Sequence, residues 1–170
     1  MGLYLIANGA MPTTSAFVKV TTGTAIKTML QVATSATQGM KVVEWGISFD
    51  GSAVGTPIEV ELLDTGTVFG TVTASALADI MALDGDALNN GNVTTNLIQI
   101  GTGLTGYTCT SEGSITSVRE FDVQLIAPTN QYVKQFPLGC RPFIKAGECL
   151  RIRVTAGSAV NAYCYVIVEI

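Results

Sequence analysis

The segment Phe143 to Ile170, FIKAGECLRIRVTAGSAVNAYCYVIVEI, constrains the fold more than any other part of this chain. Leu150, Ile152 and Val154 alternate with Arg151, Arg153 and Thr155, the period of two that marks a strand with one buried and one wet face. Gly157 and Ser158 then supply a turn, and Asn161 to Ile170 resumes with β-branched and aromatic residues at nearly every position. Two strands and a tight turn are predicted, with the C-terminus tied into a sheet. The second strand is apolar on both sides. One side faces a core, and the other, carrying Tyr163, Tyr165 and Ile167, is expected to be covered by a loop or by another subunit.

The same period recurs upstream. In KVVEWGISFD, residues 41 to 50, Val43, Trp45, Ile47 and Phe49 form an apolar set opposite Val42, Glu44, Gly46, Ser48 and Asp50. Trp45, mid-strand among Val, Ile and Phe, reads as core rather than as a stacking platform for a sugar or base. Ile58, Val60 and Leu62 alternate with Glu59 and Glu61. From Ser117 to Ala127 the apolar set is Val118, Phe121, Val123 and Leu125. Short strands are also expected over 16–22 and 25–32. One short helix is allowed over 74–83, where Leu77, Ile80 and Met81 fall at i, i+3 and i+4. Residues 85–113, rich in Gly, Asn and Thr, read as a long loop excursion with a hairpin of its own. The fold class is all-β: a single-domain antiparallel β-sandwich, jelly-roll-like, with at most one short helix. Residues 1–14, apolar yet interrupted by Pro12, read as an N-terminal arm on a sandwich of residues 15–170. Leu3, Tyr4, Leu5 and Ile6 in that arm, with Tyr163, Tyr165 and Ile167, are the candidate assembly interface.

Composition narrows the function. The 170 residues contain no histidine, which removes the commonest general base and metal ligand and every Ser-His or Cys-His nucleophile. No enzyme is expected. Glu59 and Glu61, roughly 7 Å apart by strand rise, resemble a carboxylate pair but read as a solvated face. GTGLTG at 101–106 lacks the helix and Lys of a phosphate loop. Asp84, Asp86, Asn89, Asn90 and Asn92 offer oxygen atoms that calcium accepts, without the closing Glu of an EF-hand, and read as a turn cluster. No cofactor is expected. Cys109, Cys140, Cys149 and Cys164 have no metal-ligand or CxxC spacing and read as reduced thiols. The N-terminus lacks the positive residue and apolar length of a secretion signal. No apolar run reaches the eighteen or so residues of a membrane helix.

Charge is uneven. Residues 42–118 hold nine of the 13 acidic residues and no Lys or Arg, while all nine basic residues flank them. Pairing between centre and flanks within one fold is the expected consequence. Formal net charge is −4, and without a basic cluster nucleic acid is not the expected partner.

The segments EWGISFDG at 44–51, PIEVELL at 57–63, APTNQYVKQFPLG at 127–139 and AGECLRIRVTAGSAVNAY at 146–163 together resemble small β-sandwich proteins encoded among the head genes of tailed bacteriophages. The resemblance implies a capsid decoration, or cement, protein. Such a protein is a virion structural component, a homotrimer seated on the capsid exterior against the major capsid protein and assembled in the host cytoplasm. A receptor- or carbohydrate-binding sandwich of a phage fibre or tail is the alternative. The motifs are structural rather than catalytic.

Overall fold

A computed structural model describes residues 2–52, 55–83 and 97–170. Its strands, in chain order, are β1 (Leu3–Ala7), β2 (Val20–Thr21), β3 (Ile26–Thr34), β4 (Met40–Phe49), β5 (Ile58–Asp64), β6 (Thr71–Ala74) and β7 (Ile80–Ala82). They continue as β8 (Ile98–Gln99), β9 (Gly106–Ser111), β10 (Arg119–Ile126), β11 (Gln131–Gln135), β12 (Phe143–Ile144), β13 (Cys149–Thr155) and β14 (Asn161–Glu169). One sheet runs β11-β4-β14-β1-β7 and the other β10-β5-β13-β3-β9-β6, with β2, β8 and β12 attached off these paths.

The topology is a jelly roll. The antiparallel pairs β1·β14, β3·β13, β4·β11 and β5·β10 nest like one long hairpin whose tip lies between β5 and β10. Rolling that hairpin adds the pairs β4·β14 and β5·β13, which gives two sheets of four. The core lies between them: Ile6, Trp45 and Val166 from the first sheet face Leu30, Leu62 and Ile152 from the second, all essentially inaccessible to solvent. Trp45 is the largest fully buried side chain. Its interior position follows from the alternation read in 41–50, with Trp45, Ile47 and Phe49 inward and Glu44, Gly46 and Ser48 outward, but a shift in the pairing with β14 puts Val42 rather than Val43 in the core cluster with them.

Four expectations change. Residues 3–7 are not an arm: β1 lies between β14 and β7, hydrogen-bonded on both sides. A five-residue strand with neighbours on both edges has no wet edge to reveal it, and Pro12 falls in the loop after it. The helix expected over 74–83 is one 3-10 turn, Leu77–Asp79, after which Ile80 and Met81 enter a strand. Asp79 accounts for the short turn, because its carboxylate accepts from the Ala76 and Met11 backbone N–H groups at 2.8 and 2.9 Å. The described part of the excursion, from residue 97 onward, adds β8 and β9 to the edge of β3 instead of forming a hairpin of its own. Of the apolar set read over 117–127, Phe121 packs against the core, but Val118, Val123 and Leu125 face outward: Leu125 is 71% exposed and Val123 41%, while Asp122 and Ile126 are buried. A bulge between Glu120 and Asp122 sets this phase.

Charge pairing follows the uneven distribution. Lys19–Asp50, Arg119–Asp64, Arg151–Glu112 and Arg153–Glu61 each join a basic flank to the acidic centre. The face of β13 expected to be wet is so only at its end: Thr155 is exposed and Arg153 half-buried, but Arg151 is not. Arg151 is fully buried beneath residues 65–70 and 109–113, where its guanidinium donates to the Val68 carbonyl at 2.5 Å and to Glu112 at 3.0 Å.

Candidate assembly face

The outer face of the β1-β14-β4 sheet gathers residues from both ends of the chain. Because Tyr4 and Ile6 point into the core, Leu3, Leu5 and Ala7 point out. Pairing sets Leu5 opposite Ile167, and Ala7 opposite Tyr165. On the far side Glu44, Gly46 and Ser48 of β4 lie opposite Ile167, Tyr165 and Tyr163. The result is a row Met81–Leu5–Ile167–Glu44 across four strands, with a second row Ala7–Tyr165–Gly46 beside it.

Of the seven residues selected from sequence, the fold brings together Leu3, Leu5, Tyr163, Tyr165 and Ile167, all half-buried. Tyr4 and Ile6 belong to the core instead, at 8% and 0% exposure, so they leave the candidate interface. Strand alternation carries this correction: four consecutive residues of one strand cannot share a face. Met81 and Phe17 join the face unannounced. Met81 was hidden by its helical spacing, and it reaches Leu5 only because β7 is a strand.

Local chemistry fixes the aromatic part. The Tyr165 ring lies across Gly46, where a Cβ would stand 2.7 Å from it, and its hydroxyl donates to Glu44 Oε1 at 2.6 Å. Burial, reinforced by that carboxylate, pushes the Tyr165 hydroxyl well above the ordinary tyrosine range. Asn8 extends the β1·β14 ladder with its side chain: Nδ2 donates to the Ala162 carbonyl at 3.1 Å and Oδ1 accepts from the Cys164 N–H at 2.9 Å. The loop after it doubles back, setting Phe17 edge-on to Tyr163 with ring centroids 4.8 Å apart. Met11, Pro12, Ala16, Phe17, Lys19 and Tyr163 line an open apolar groove of about 530 Å³ at that end of the face. The half-covered side of β14 is thus met partly by this loop.

The remaining sequence candidates separate from the face. Glu61 is buried in a bidentate pair with Arg153 at 2.7 and 2.8 Å, while Glu59 is exposed, so the two do not act as a carboxylate pair. The Asp/Asn stretch 84–92 lies outside the described residues. Among the described residues no group of three or more His, Cys, Asp or Glu is placed to hold a metal ion. All four cysteines are free, and Cys140 alone of them is exposed.

Comparison with family models, with curated proteins and with solved structures finds no match to this chain. The functional reading therefore rests on the residues and their geometry.

Proposed function

We propose that the protein is a virion structural component that decorates and stabilises the outside of a tailed-phage capsid as a homotrimer, with the outer face of the β1-β14-β4 sheet set against the major capsid protein. The observation that carries this reading is the convergence of Leu3, Leu5, Met81, Tyr163, Tyr165 and Ile167 on one half-exposed sheet face. A rigid sheet lined by apolar and aromatic side chains suits a permanent docking surface, whose buried core is apolar and aromatic with a polar rim. Tyr165, held by Glu44, is a pre-ordered contact that loses little entropy on docking. The jelly roll tied at both chain ends supplies the stiffness that a shell reinforcement needs.

The test is co-sedimentation and negative-stain imaging of purified protein mixed with expanded capsids. The protein should occupy capsids, and the double variant Leu5→Glu with Ile167→Glu should lose that occupancy while keeping its far-UV circular dichroism. Unchanged occupancy of that variant removes the face from the contact. Failure of the native protein to bind capsids, together with selective binding on a glycan array, replaces the decoration role with a receptor-binding one.

A further inference from the structure

Away from the sheet face just described, β5 and β10 carry an unusual surface. Glu59 lies opposite Leu125 and Glu61 opposite Val123, so acidic and apolar side chains stand side by side on the outer face of the second sheet. Leu125 is 71% exposed, the apolar phase of this strand being turned away from the core. Glu120 adds a third carboxylate. Its proton affinity is raised by burial and then by Glu61 beside it, and Arg153 alone offsets the crowding. This arrangement is costly in an isolated copy, because like charges repel and apolar surface meets water.

A surface of opposite character lies beside the start of β10, where Arg119 donates to the Phe143 carbonyl. Phe143 pairs with Lys41 across β12 and β4, and the exposed Lys145 follows just after β12. Leu138, at the tip of a turn closed by the Cys140 N–H to the Pro137 carbonyl, is 85% exposed and lines a depression with Lys41. Neither Lys41 nor Lys145 takes part in an ion pair among the described residues. The far part of the strip, at Leu125 and Glu59, cannot reach this surface within one chain. Arg119 donates to the Phe143 carbonyl, which places the basic end beside the start of β10, and Leu125 is six residues along that strand, roughly 20 Å away.

We propose that copies of this chain join head to tail, the acidic and apolar strip of Glu59, Glu120, Val123 and Leu125 docking on Lys41, Leu138, Phe143 and Lys145 of the next copy. The inference deepens the proposed role and rests on its self-association. Leu125 and Val123 meet Leu138 and Phe143, and the two lysines relieve the crowded carboxylates. Two different surfaces in contact make a heterologous interface, the kind that closes a ring with an odd number of subunits, which a single self-complementary patch cannot do. The complementary charges make association salt-sensitive.

Light scattering of the full chain after size-exclusion chromatography tests this. The native protein should show a multiple of the single-chain mass that falls as salt is raised. The variants Glu59→Lys with Glu120→Lys, and Lys41→Glu with Lys145→Glu, alter exposed residues only and should each keep the native circular dichroism yet run at the single-chain mass. Mixing the two should restore association in pairs or even-numbered assemblies but not the native odd ring, because the variants can join only in alternation, where each meets a complementary surface. A native protein of single-chain mass, reversed variants that keep the native mass, or a mixture that stays monomeric overturns the interface. If the reversed variants keep both native mass and capsid occupancy, this interface is wrong and the decoration role stands. If charge reversal and rescue behave as expected but the native protein binds no capsid, the interface stands and the decoration role fails.

Discussion

The Trp45 indole N–H, on one sheet, donates to Asp122 Oδ2 on the other at 3.2 Å. Asp122 is buried at the side of the sandwich where β10 and β11 lie, and the same carboxylate accepts from the Tyr132 hydroxyl at 2.9 Å, from Gln124 Nε2 at 3.0 Å and from Lys134 at 3.1 Å. One acid thus gathers four donors and bolts the two sheets together. Asp122→Ala removes the acceptor but leaves the buried donors in place, and should cost about 2–4 kcal/mol. Asp122→Asn keeps one acceptor oxygen and should cost less. Chemical denaturation followed by Trp45 fluorescence reads both, since an indole with no exposed surface should shift its emission on unfolding; an Asp122→Ala variant as stable as the native protein sinks the assignment.

The same cluster predicts how stability depends on pH. Burial alone would raise the Asp122 carboxyl, but hydrogen bonds from Gln124, Lys134 and Tyr132 outweigh it and hold it below the ordinary carboxylate range. A depressed folded-state value means that the contribution is present above the unfolded value near 3.9 and is lost as pH falls through the folded one. Tyr132 shifts the other way, pushed up to about 12 by burial and by Asp122. Its contribution is complete below the unfolded value near 10 and fades as pH rises toward about 12. Melting temperature should therefore fall on the acid side below about pH 4 and on the alkaline side above about pH 10. In Tyr132→Phe the alkaline loss should be smaller.

Thiol chemistry offers a direct check of burial. Cys149 and Cys164 are fully buried and Cys109 nearly so, and burial raises all three thiols above the ordinary range, which disfavours the reactive thiolate. Cys140 is exposed beside the turn that presents Leu138. A chromogenic disulfide reagent should titrate one thiol quickly in the native protein and all four after denaturation. Fast reaction of two or more native thiols contradicts the packing around β9, β13 and β14.

What the sequence made legible follows from which neighbours a strand has. The alternation in 41–50 and 161–170 placed Trp45, Tyr163, Tyr165 and Ile167 on the faces where the fold puts them, because β4 and β14 run through the middle of one sheet. Alternation divides a strand into two faces but does not say which is inside. In β10 hydrogen bonds bury Asp122, and the bulge beside it turns Val123 and Leu125 outward while Phe121 stays against the core, so reading the apolar set as core inverted the strand beyond the bulge. Arg151 was misread for a related reason. Nothing near it in sequence shows that residues 65–70 and 109–113 fold back over it, since those contacts span 39 to 83 positions along the chain. The candidate face was legible except for its alternation: Leu3 and Leu5 belong to it, while Tyr4 and Ile6 do not.

That covering layer makes the last prediction. Arg151 donates to the Glu112 carboxylate and carbonyl at 3.0 Å and to the Val68 carbonyl, and Glu112 in turn accepts from the Thr28 N–H and hydroxyl at 2.6 Å. One guanidinium therefore fastens two separate segments to the outside of the second sheet. Replacing it by Met preserves most of the volume but leaves Glu112 without its counter-charge, while the Val68 carbonyl keeps the Thr65 hydroxyl and the Cys149 thiol as donors. Such a change should cost about 3–5 kcal/mol, because an unpaired charge beneath a covering segment is far worse than no charge at all. The double variant Arg151→Met with Glu112→Gln removes both charges and should recover part of the loss. Limited proteolysis supplies a second reading: cleavage should appear first within 65–70 and 109–118 in the single variant and be slower in the double. A single variant that melts with the native protein, or a double variant less stable than the single, would show that the layer is held by something other than this ion pair.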